Sequence, residues 1–180
     1  VIGGVYRVFI SQTKAYTVQD QVAEIQQDVR GAMEIMVRDI RMAGFQTRSF
    51  GSATISNSPI VPGNNSITVN YQNISAAVTD TVTYALAGTN LTRNGAELLN
   101  KVTTLNFSYG IDANGDGIID GIDQVTGVIP DGAFVPAASV GTAKVYAVRI
   151  TLTANPSSDD LDVTKMISPR TLTSVVTARN

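Results

Sequence analysis

The chain has 180 residues, a formal net charge of −2 and a sequence pI near 5.0. That balance does not give the basic surface that binds a polyanion, so nucleic acid is not an expected partner. Histidine and cysteine are both absent. These two residues supply the commonest general base, the commonest metal ligand and the thiolate nucleophile, so triad hydrolases, most zinc enzymes and disulfide frameworks are excluded. We expect a protein without enzymatic activity.

The first stretch of the chain predicts one long helix, because no proline occurs between Val1 and Ala43. Apolar residues recur there every three or four positions, which is typical of one face of an amphipathic helix. They are Val18, Val22, Ile25, Val29, Ala32 or Met33, Met36, Ile40 and Ala43. Gly44 then follows as a stop signal, with Arg38 and Arg41 in the last turns. Such a helix extends roughly 60 Å, far more than a typical globular helix.

The front of this helix, residues 1–10, is apolar on every side except at Arg7. It is shorter than the roughly 20 residues that cross a bilayer. It needs burial, either in a partner or as the tail of a membrane helix that begins before this sequence, and a first residue Val1 fits a fragment or a processed product. We expect residues 1–15 to protrude and residues 1–10 to contact no sheet. The predicted organisation is a helix over 1–44 and a β-rich head over 45–180.

Beyond Gly44 the hydrophobic period changes from 3.6 to 2, which predicts strands. A Ser/Asn/Gly/Pro-rich connection covers residues 45–63, with one short strand candidate at 53–56. Alternating strands are predicted at residues 66–71, 80–86, 91–93, 102–109, 144–153 and 172–177. Asn94 and Gly95 form a strong tight-turn dipeptide, and residues 130–141 predict an irregular segment. One sheet with one apolar face needs cover, so we predict an α+β fold in which an antiparallel sheet packs on the C-terminal half of the helix.

One segment has the spacing of a metal site. From Asp112 to Asp123 the sequence matches the calcium-loop pattern of alternating oxygen ligands. The predicted ligands are Asp112, Asn114, Asp116, the backbone carbonyl of Ile118, Asp120 and Asp123. Gly117 stands at the sharp turn, and Ile119 is the apolar residue that points inward. Because Ca²⁺ prefers six to eight hard oxygen ligands, the segment predicts a structural calcium site.

The segment also departs from that pattern in two respects. Its last ligand is Asp123 where the pattern has glutamate, and the element before it is a predicted strand instead of a helix. The alternative is an exposed Asp/Asn/Gly hairpin turn without metal. A second acidic group, formed by Asp159, Asp160 and Asp162, is typical of a solvated turn, with a second metal site as the alternative.

Charged residues occupy the other faces of the predicted helix. They are Asp20, Glu24, Asp28, Arg30, Glu34, Arg38 and Asp39. Most of them are typical of a solvated face with pairs at i and i+4, such as Glu34 with Arg38. The alternative is that they select partners along a helix bundle.

Several segments, taken in order, resemble the PilW-like minor pilins of type IV pili. The sequence MVRDIRMAGF at 36–45 resembles the end of that family's long helix, and LTRNG at 91–95 resembles part of its sheet. The strand at 102–109 running into Asp112–Asp120 resembles the next strand and the Asp-Gly loop. The strand at 146–152 and the terminal residues 175–180 continue the likeness. The J-type minor pseudopilins of type II secretion are similar, less closely.

The resemblance implies a pilin-like fold made as a prepilin and cut by a dedicated peptidase. An apolar helical half would anchor it in the bacterial inner membrane, with a periplasmic head, before it enters an extracellular pilus. The family's leader, cleavage glycine and N-terminal glutamate do not match any residue here, so residues 1–10 would be a remnant of the anchoring half. Such subunits lie at or near the fibre tip, help to initiate assembly, pack their helices with other major and minor pilin subunits, and are not enzymes.

Two other functions fit the same residues. A minor pseudopilin of a type II secretion system would have the same fold but would belong to a secretion system instead of a pilus. A calcium-dependent adhesive module at a pilus tip would use the loop instead of the helix. Aromatic residues make up only 6% of the chain and form no cluster in the sequence, which argues against a sugar-binding platform.

Overall fold

The computed structural model describes residues 2–46, 58–72, 78–122, 124–157 and 165–178, with the side chains of the helix described from Phe9 onward. Within these residues the chain forms one long helix, α1 (Ile2–Arg41), followed by nine β-strands. The strand predicted at 53–56 lies outside the described residues. The arrangement is α+β, with α1 packed against antiparallel sheets as in a pilin.

The first sheet has five antiparallel strands in the order β1-β2-β3-β4-β5. They are β1 (Ile60–Pro62), β2 (Ser66–Gln72), β3 (Thr79–Ala87), β4 (Asn90–Arg93) and β5 (Ala96–Leu99). Each strand pairs with the next along the chain, so this sheet is an antiparallel meander. The β4–β5 hairpin turns at Asn94 and Gly95, whose φ angles of 52° and 81° are the positive values that a type I′ turn requires.

The second sheet has four antiparallel strands in the order β7-β6-β8-β9. They are β6 (Val102–Asp112), β7 (Phe134–Pro136), β8 (Lys144–Ala154) and β9 (Arg170–Thr177). In β8 the side chains of Val148, Ile150 and Leu152 are fully buried. Thr151 and Thr153, which alternate with them, point to the half-exposed face. The alternation seen in the sequence therefore corresponds to one face in the core and one face toward solvent.

The division into two sheets differs from the single sheet that the sequence predicts. Strands β1 and β7 also lie in segments that the sequence predicts as a connection and as an irregular segment. Each of them has only three residues and ends in a proline, Pro62 or Pro136. Three residues are too few to display a period of two, and proline is a turn signal, so neither strand is visible in the hydrophobic pattern.

The C-terminal half of α1 lies across both sheets and closes a shared core. The first buried side chain among the described residues of α1 is Ile25, and Met36 and Ile40 have no exposed surface. The buried helix residues are Ile25, Val29, Ala32, Met33, Met36, Asp39 and Ile40. Most of this set is the predicted apolar stripe, and it packs in one cluster with residues from both sheets.

The helix ends where the sequence places its stop signal. After Arg41 the chain turns, and Gly44 has a φ of 75°, the left-handed conformation that favours glycine at a helix end. The Gly44 N–H then donates to the carbonyl of Asn70, at 3.0 Å, and the Gln72 N–H donates to the carbonyl of Phe45, at 2.8 Å. The exit of the helix is thus held against β2 by two backbone hydrogen bonds.

The front half of α1 differs from the rear half. No side chain between Phe9 and Glu24 is buried. Phe9 is 65% exposed and Tyr16 is 69% exposed, and Ile10 is also exposed. The described part of the chain contains no helix that combines the length and apolar character needed to cross a membrane.

Candidate functional site

The predicted calcium loop begins at Asp112, the last residue of β6. It turns through Gly115, Gly117 and Gly121, whose φ angles are 79°, 84° and 75°. Ile119 is only 8% exposed, as predicted for the inward apolar residue. It packs over Gly110, where a Cβ would lie 3.3 Å from its Cγ2 atom. A glycine at 110 therefore makes room for the side chain that anchors the loop to the second sheet.

Asp112 is the buried centre of this loop. Only 5% of it is exposed, and its two carboxylate oxygens accept backbone N–H groups from Gly115, at 2.6 Å, and Gly117, at 2.8 Å. Asp120 accepts the N–H of Ala113 at 2.7 Å and donates its own N–H to the carbonyl of Ile111 at 2.8 Å. These bonds close the base of the loop and fix both carboxylates.

The outer part of the loop is held by local side-chain bonds. The Asn114 side-chain oxygen accepts the N–H of Asp116 at 3.0 Å, and an Asp116 oxygen accepts the N–H of Ile118 at 2.8 Å. The Asn114 amide also donates to Asp116 at 3.0 Å. This pattern is a series of Asx turns, in which short polar side chains satisfy their own backbone.

The described residues of the loop offer the type of ligand atom that Ca²⁺ prefers, namely carboxylate, amide and carbonyl oxygens. A carboxylate oxygen has two lone pairs, so the hydrogen bonds within the loop leave acceptor capacity for a cation. No three acidic side chains among the described residues lie close enough to form a metal-binding group. Asp123, the predicted closing ligand, lies outside the described residues, as do Asp159, Asp160 and Asp162. Calcium binding therefore stays a prediction.

The charged residues of α1 divide into two groups. Asp20, Glu24, Asp28, Arg30, Glu34 and Arg38 are exposed, as predicted for a solvated face. The predicted ion pair of Glu34 with Arg38 does not form among the described residues. Arg38 lies 3.6 Å from Asp39 instead. Asp39 is the exception to the prediction, because it is only 6% exposed.

Asp39 is buried because it joins α1 to the first sheet through two partners. One Asp39 carboxylate oxygen accepts hydrogen bonds from the Tyr84 hydroxyl at 2.6 Å and from the Arg93 Nε at 2.9 Å. The same oxygen forms an ion pair with the Arg93 Nη2, also at 2.9 Å. The Arg93 Nε also donates to the Tyr84 hydroxyl at 3.1 Å. Burial and the hydrogen bond to Asp39 raise the pKa of Tyr84 well above its usual value, and the bond to Asp39 raises the pKa of Arg93. The three side chains form a closed network that fixes the end of the helix.

A second tyrosine joins the two sheets. The hydroxyl of Tyr109, on β6, donates to the carbonyl of Gly63 at 2.7 Å and accepts the N–H of Gly63 at 2.9 Å. Gly63 lies in the turn between β1 and β2. Burial raises the pKa of Tyr109 to about 12. Among the described residues, the buried hydroxyl of Tyr84 thus joins the helix to the first sheet, and the buried hydroxyl of Tyr109 joins the two sheets.

Comparison with known families then decides the relationship. A family model described as prepilin peptidase-dependent protein B (PpdB) matches residues 18–177. The chain belongs to the PpdB family. The match begins at Val18 within α1 and extends to the end of β9, so it covers the helix from Val18 onward, both sheets and the loop. The family is related to pilins and pseudopilins. The comparison with curated proteins yields no significant match.

The Asp39–Tyr84–Arg93 network of this PpdB-family chain is what the sequence interpretation missed. A signal for it was present, because Asp39 lies three residues after Met36 and four before Ala43, and both of these are buried. A charged residue at that spacing belongs to the apolar face of the helix and needs a buried partner. The identity of the partners depends on how β3 and β4 are placed, which the spacing on the helix does not encode.

Proposed function

We propose that this PpdB-family chain is a PilW-like minor pilin. It would be a non-enzymatic subunit at or near the tip of a type IV pilus, where it helps to initiate assembly. Its partners would be other major and minor pilin subunits, bound through the N-terminal helix. It would be anchored in the bacterial inner membrane with a periplasmic head before assembly, and it would become part of the extracellular pilus afterwards. The family match and the pilin-like fold support this proposal.

The observation that carries the proposal is the front half of α1, in which no described side chain before Ile25 is buried. Phe9 and Tyr16 are seven residues apart, so they lie on one face of the helix two turns apart. Both are large and more than half exposed, while the rear half of the same helix is packed into the head. Exposed aromatic surface on a helix gains free energy when a partner covers it, at about 25 cal/mol per Å² of apolar area. Packing against neighbouring helices meets that requirement.

The proposal is tested in cells that lack the native copy and express a variant of the whole protein. We expect Phe9→Asp to reduce the number of surface fibres strongly, because it places a carboxylate in the helix interface. The matched control is Asn106→Asp, which adds the same charge to an exposed side chain on β6. Normal fibre number with Phe9→Asp, at equal protein level, contradicts helix packing as the mechanism.

A minor pseudopilin is the second candidate, because a prepilin peptidase-dependent family is compatible with either a pilin-like or a pseudopilin-like role. Deletion of the protein separates the two. Loss of fibres supports the minor pilin, whereas normal fibres with loss of type II secretion support the pseudopilin. Normal fibres and normal secretion with lost attachment to surfaces support an adhesive module. Deletion without any of these effects contradicts all three.

We also propose that the loop from Asp112 to Asp123 holds a structural calcium ion. Asp112, Asn114, Asp116, the Ile118 carbonyl, Asp120 and Asp123 would hold it, and the ion would neutralise the carboxylates gathered in the loop. The test is the melting temperature with added calcium and with chelator. Calcium should raise it for the native chain and for Asp28→Ala, an exposed acid on α1, but not for Asp116→Ala. Equal melting in calcium and chelator refutes the site.

A further inference from the structure

The two sheets have four edge strands, and three of them are protected against pairing with another chain. Strands β1 and β7 have three residues each and end in proline. Strand β5 has four residues, carries Glu97, and pairs with β4 through a register shift. Short length, proline, charge and irregular register are the usual means by which proteins prevent edge-to-edge association.

Strand β9 has none of these protections along most of its length. Its eight residues pair with β8 at eight consecutive positions without a register shift. It contains no proline, and no charged residue follows Arg170 at its start. A long, regular and uncharged edge is a competent template for an added strand.

The outward groups of this edge can be identified. The Ala178 N–H donates to the carbonyl of Tyr146 at 2.8 Å, which sets the phase of the ladder between β8 and β9. Bonded pairs alternate along an antiparallel ladder, so every second residue of β9 directs its N–H and C=O away from β8. These residues are Thr171, Thr173, Val175 and Thr177. Their side chains are exposed, and no described residue pairs with them across the edge.

A groove of about 570 Å³ lies beside β9, along one flank of α1. Met33, Val37 and Leu172 give it apolar surface. Its charged residues are three arginines, Arg30, Arg38 and Arg41, and one glutamate, Glu34. A segment added to the edge of β9 would lie against this flank. The excess of guanidinium groups favours a segment that carries carboxylates.

We propose that the edge of β9 and this groove together bind an extended acidic segment of a neighbouring subunit. The segment adds to the β7-β6-β8-β9 sheet as a further strand and directs carboxylate side chains at Arg30, Arg38 or Arg41. That the partner is a fibre subunit rests on the proposed function. A second copy of β9 is the less favourable occupant, because two copies would bring two arginine-rich flanks together.

The test is site-specific photocrosslinking with the full chain in its native cells. A photoreactive phenylalanine analogue is placed at Val175 on the edge, at Thr151 on the interior strand β8 as control, and at Tyr16 on the front of α1. We expect an adduct with a pilin-type subunit from Val175 and from Tyr16, and none from Thr151.

Two variants test the mechanism of the Val175 adduct. Thr173→Pro removes an outward N–H while sparing the ladder to β8, so the fold persists and the adduct should fall at least tenfold. Arg41→Glu should lower the adduct severalfold, whereas Lys165→Glu, an exposed residue outside the groove, should leave it unchanged. Melting curves show whether each variant is folded. If Thr173→Pro does not fold, the effect of Arg41→Glu on the adduct is the test of the mechanism.

Each other outcome overturns a defined part of the inference. An adduct from Tyr16 without one from Val175 refutes the docking site and leaves the proposed function standing. No adduct from either position contradicts both. A Val175 adduct with a second copy of this chain refutes the acidic partner, and an adduct that survives both Thr173→Pro and Arg41→Glu refutes strand addition.

Discussion

The network around Asp39 gives the sharpest prediction about stability. Asp39→Asn keeps the size of the side chain and removes its charge. One carboxylate oxygen accepts two hydrogen bonds, from the Tyr84 hydroxyl and the Arg93 Nε, and forms an ion pair with the Arg93 Nη2. After the substitution, a neutral amide oxygen faces the guanidinium, and the new amide hydrogens compete with the donors already present. The change therefore weakens both hydrogen bonds that Asp39 accepts and its ion pair with Arg93.

The magnitude follows from burial. Hydrogen bonds to charged groups contribute about 1.5–3 kcal/mol each. The Arg93 side chain is 35% exposed, so it partly rehydrates when the carboxylate is lost, and Tyr84 can still donate to the amide oxygen. We therefore expect Asp39→Asn to destabilise the fold by about 2–3 kcal/mol. Tyr84→Phe leaves the contact of Asp39 with Arg93 in place, so its cost should lie at the lower end of that range, at about 1.5 kcal/mol.

The assay is equilibrium unfolding of the purified chain in urea, with thermal melting beside it. For a protein of 180 residues, 1 kcal/mol corresponds to about 2–4 °C in melting temperature. Asp39→Asn should therefore lower the melting temperature by about 4–12 °C and Tyr84→Phe by about 3–6 °C. Asp28→Asn, an exposed acid on the same helix, is the matched control and should change stability by less than about 0.5 kcal/mol. If Asp39→Asn costs no more than Asp28→Asn, the reasoning is refuted.

Three further predictions concern pH, the helix and the loop. Burial raises the pKa of Tyr109 to about 12. As pH rises, the Tyr109 hydroxyl therefore loses its proton in the unfolded chain at a lower pH than in the folded chain. The free energy of unfolding should therefore fall between pH 10 and 12, and this group should account for a loss of about 2–3 kcal/mol at pH 12. When unfolding in urea is measured at a series of pH values, Tyr109→Phe should show a smaller fall over this range. Gly31→Ala should raise the melting temperature by about 2–4 °C, since a Cβ there meets no atom within 4 Å and alanine favours the helix by about 1 kcal/mol; a lower value contradicts this. Gly117→Ala should cost about 1–2 kcal/mol in chelator, because its φ is 84°, and equal unfolding midpoints for variant and native chain would contradict the strain.

The sequence predicts the parts of this fold in which one hydrophobic period continues long enough to be counted. The stripe from Ile25 to Ala43 and the alternation in β8 have that length, and the structure buries both as expected. Asn94 and Gly95 are predicted for a different reason, since few other pairs tolerate two successive positive φ angles. In each case the signal is local, so no knowledge of the rest of the chain is needed.

The features that the sequence does not predict depend on distant residues. Tyr109 bonds to Gly63, which is 46 positions away, and that contact joins two sheets where the pattern predicts one. Tyr84 and Arg93 reach Asp39 across 45 and 54 positions. A tyrosine that alternates correctly along its strand gives no sign of which partner its hydroxyl has. The oxygen spacing of the loop is visible in the sequence, but whether an ion binds there depends on the geometry of ligands such as Asp123.

The two halves of α1 obtain their helical structure from different sources. The rear half is held by the core, by the Asp39 network and by the bonds of Gly44 and Gln72. The front half has no buried described side chain before Ile25. Polar side chains at its rear end contact the head, since the Ser157 hydroxyl donates to Gln21 at 3.0 Å and to Glu24 at 3.1 Å. Nearer its start, the Thr13 and Thr17 hydroxyls donate to carbonyls four residues earlier. Helices without tertiary packing are marginal in water, and such threonine bonds do not favour them. A subunit alone should therefore have a front half that frays, and neighbouring helices would order it, so helix formation there and assembly are coupled.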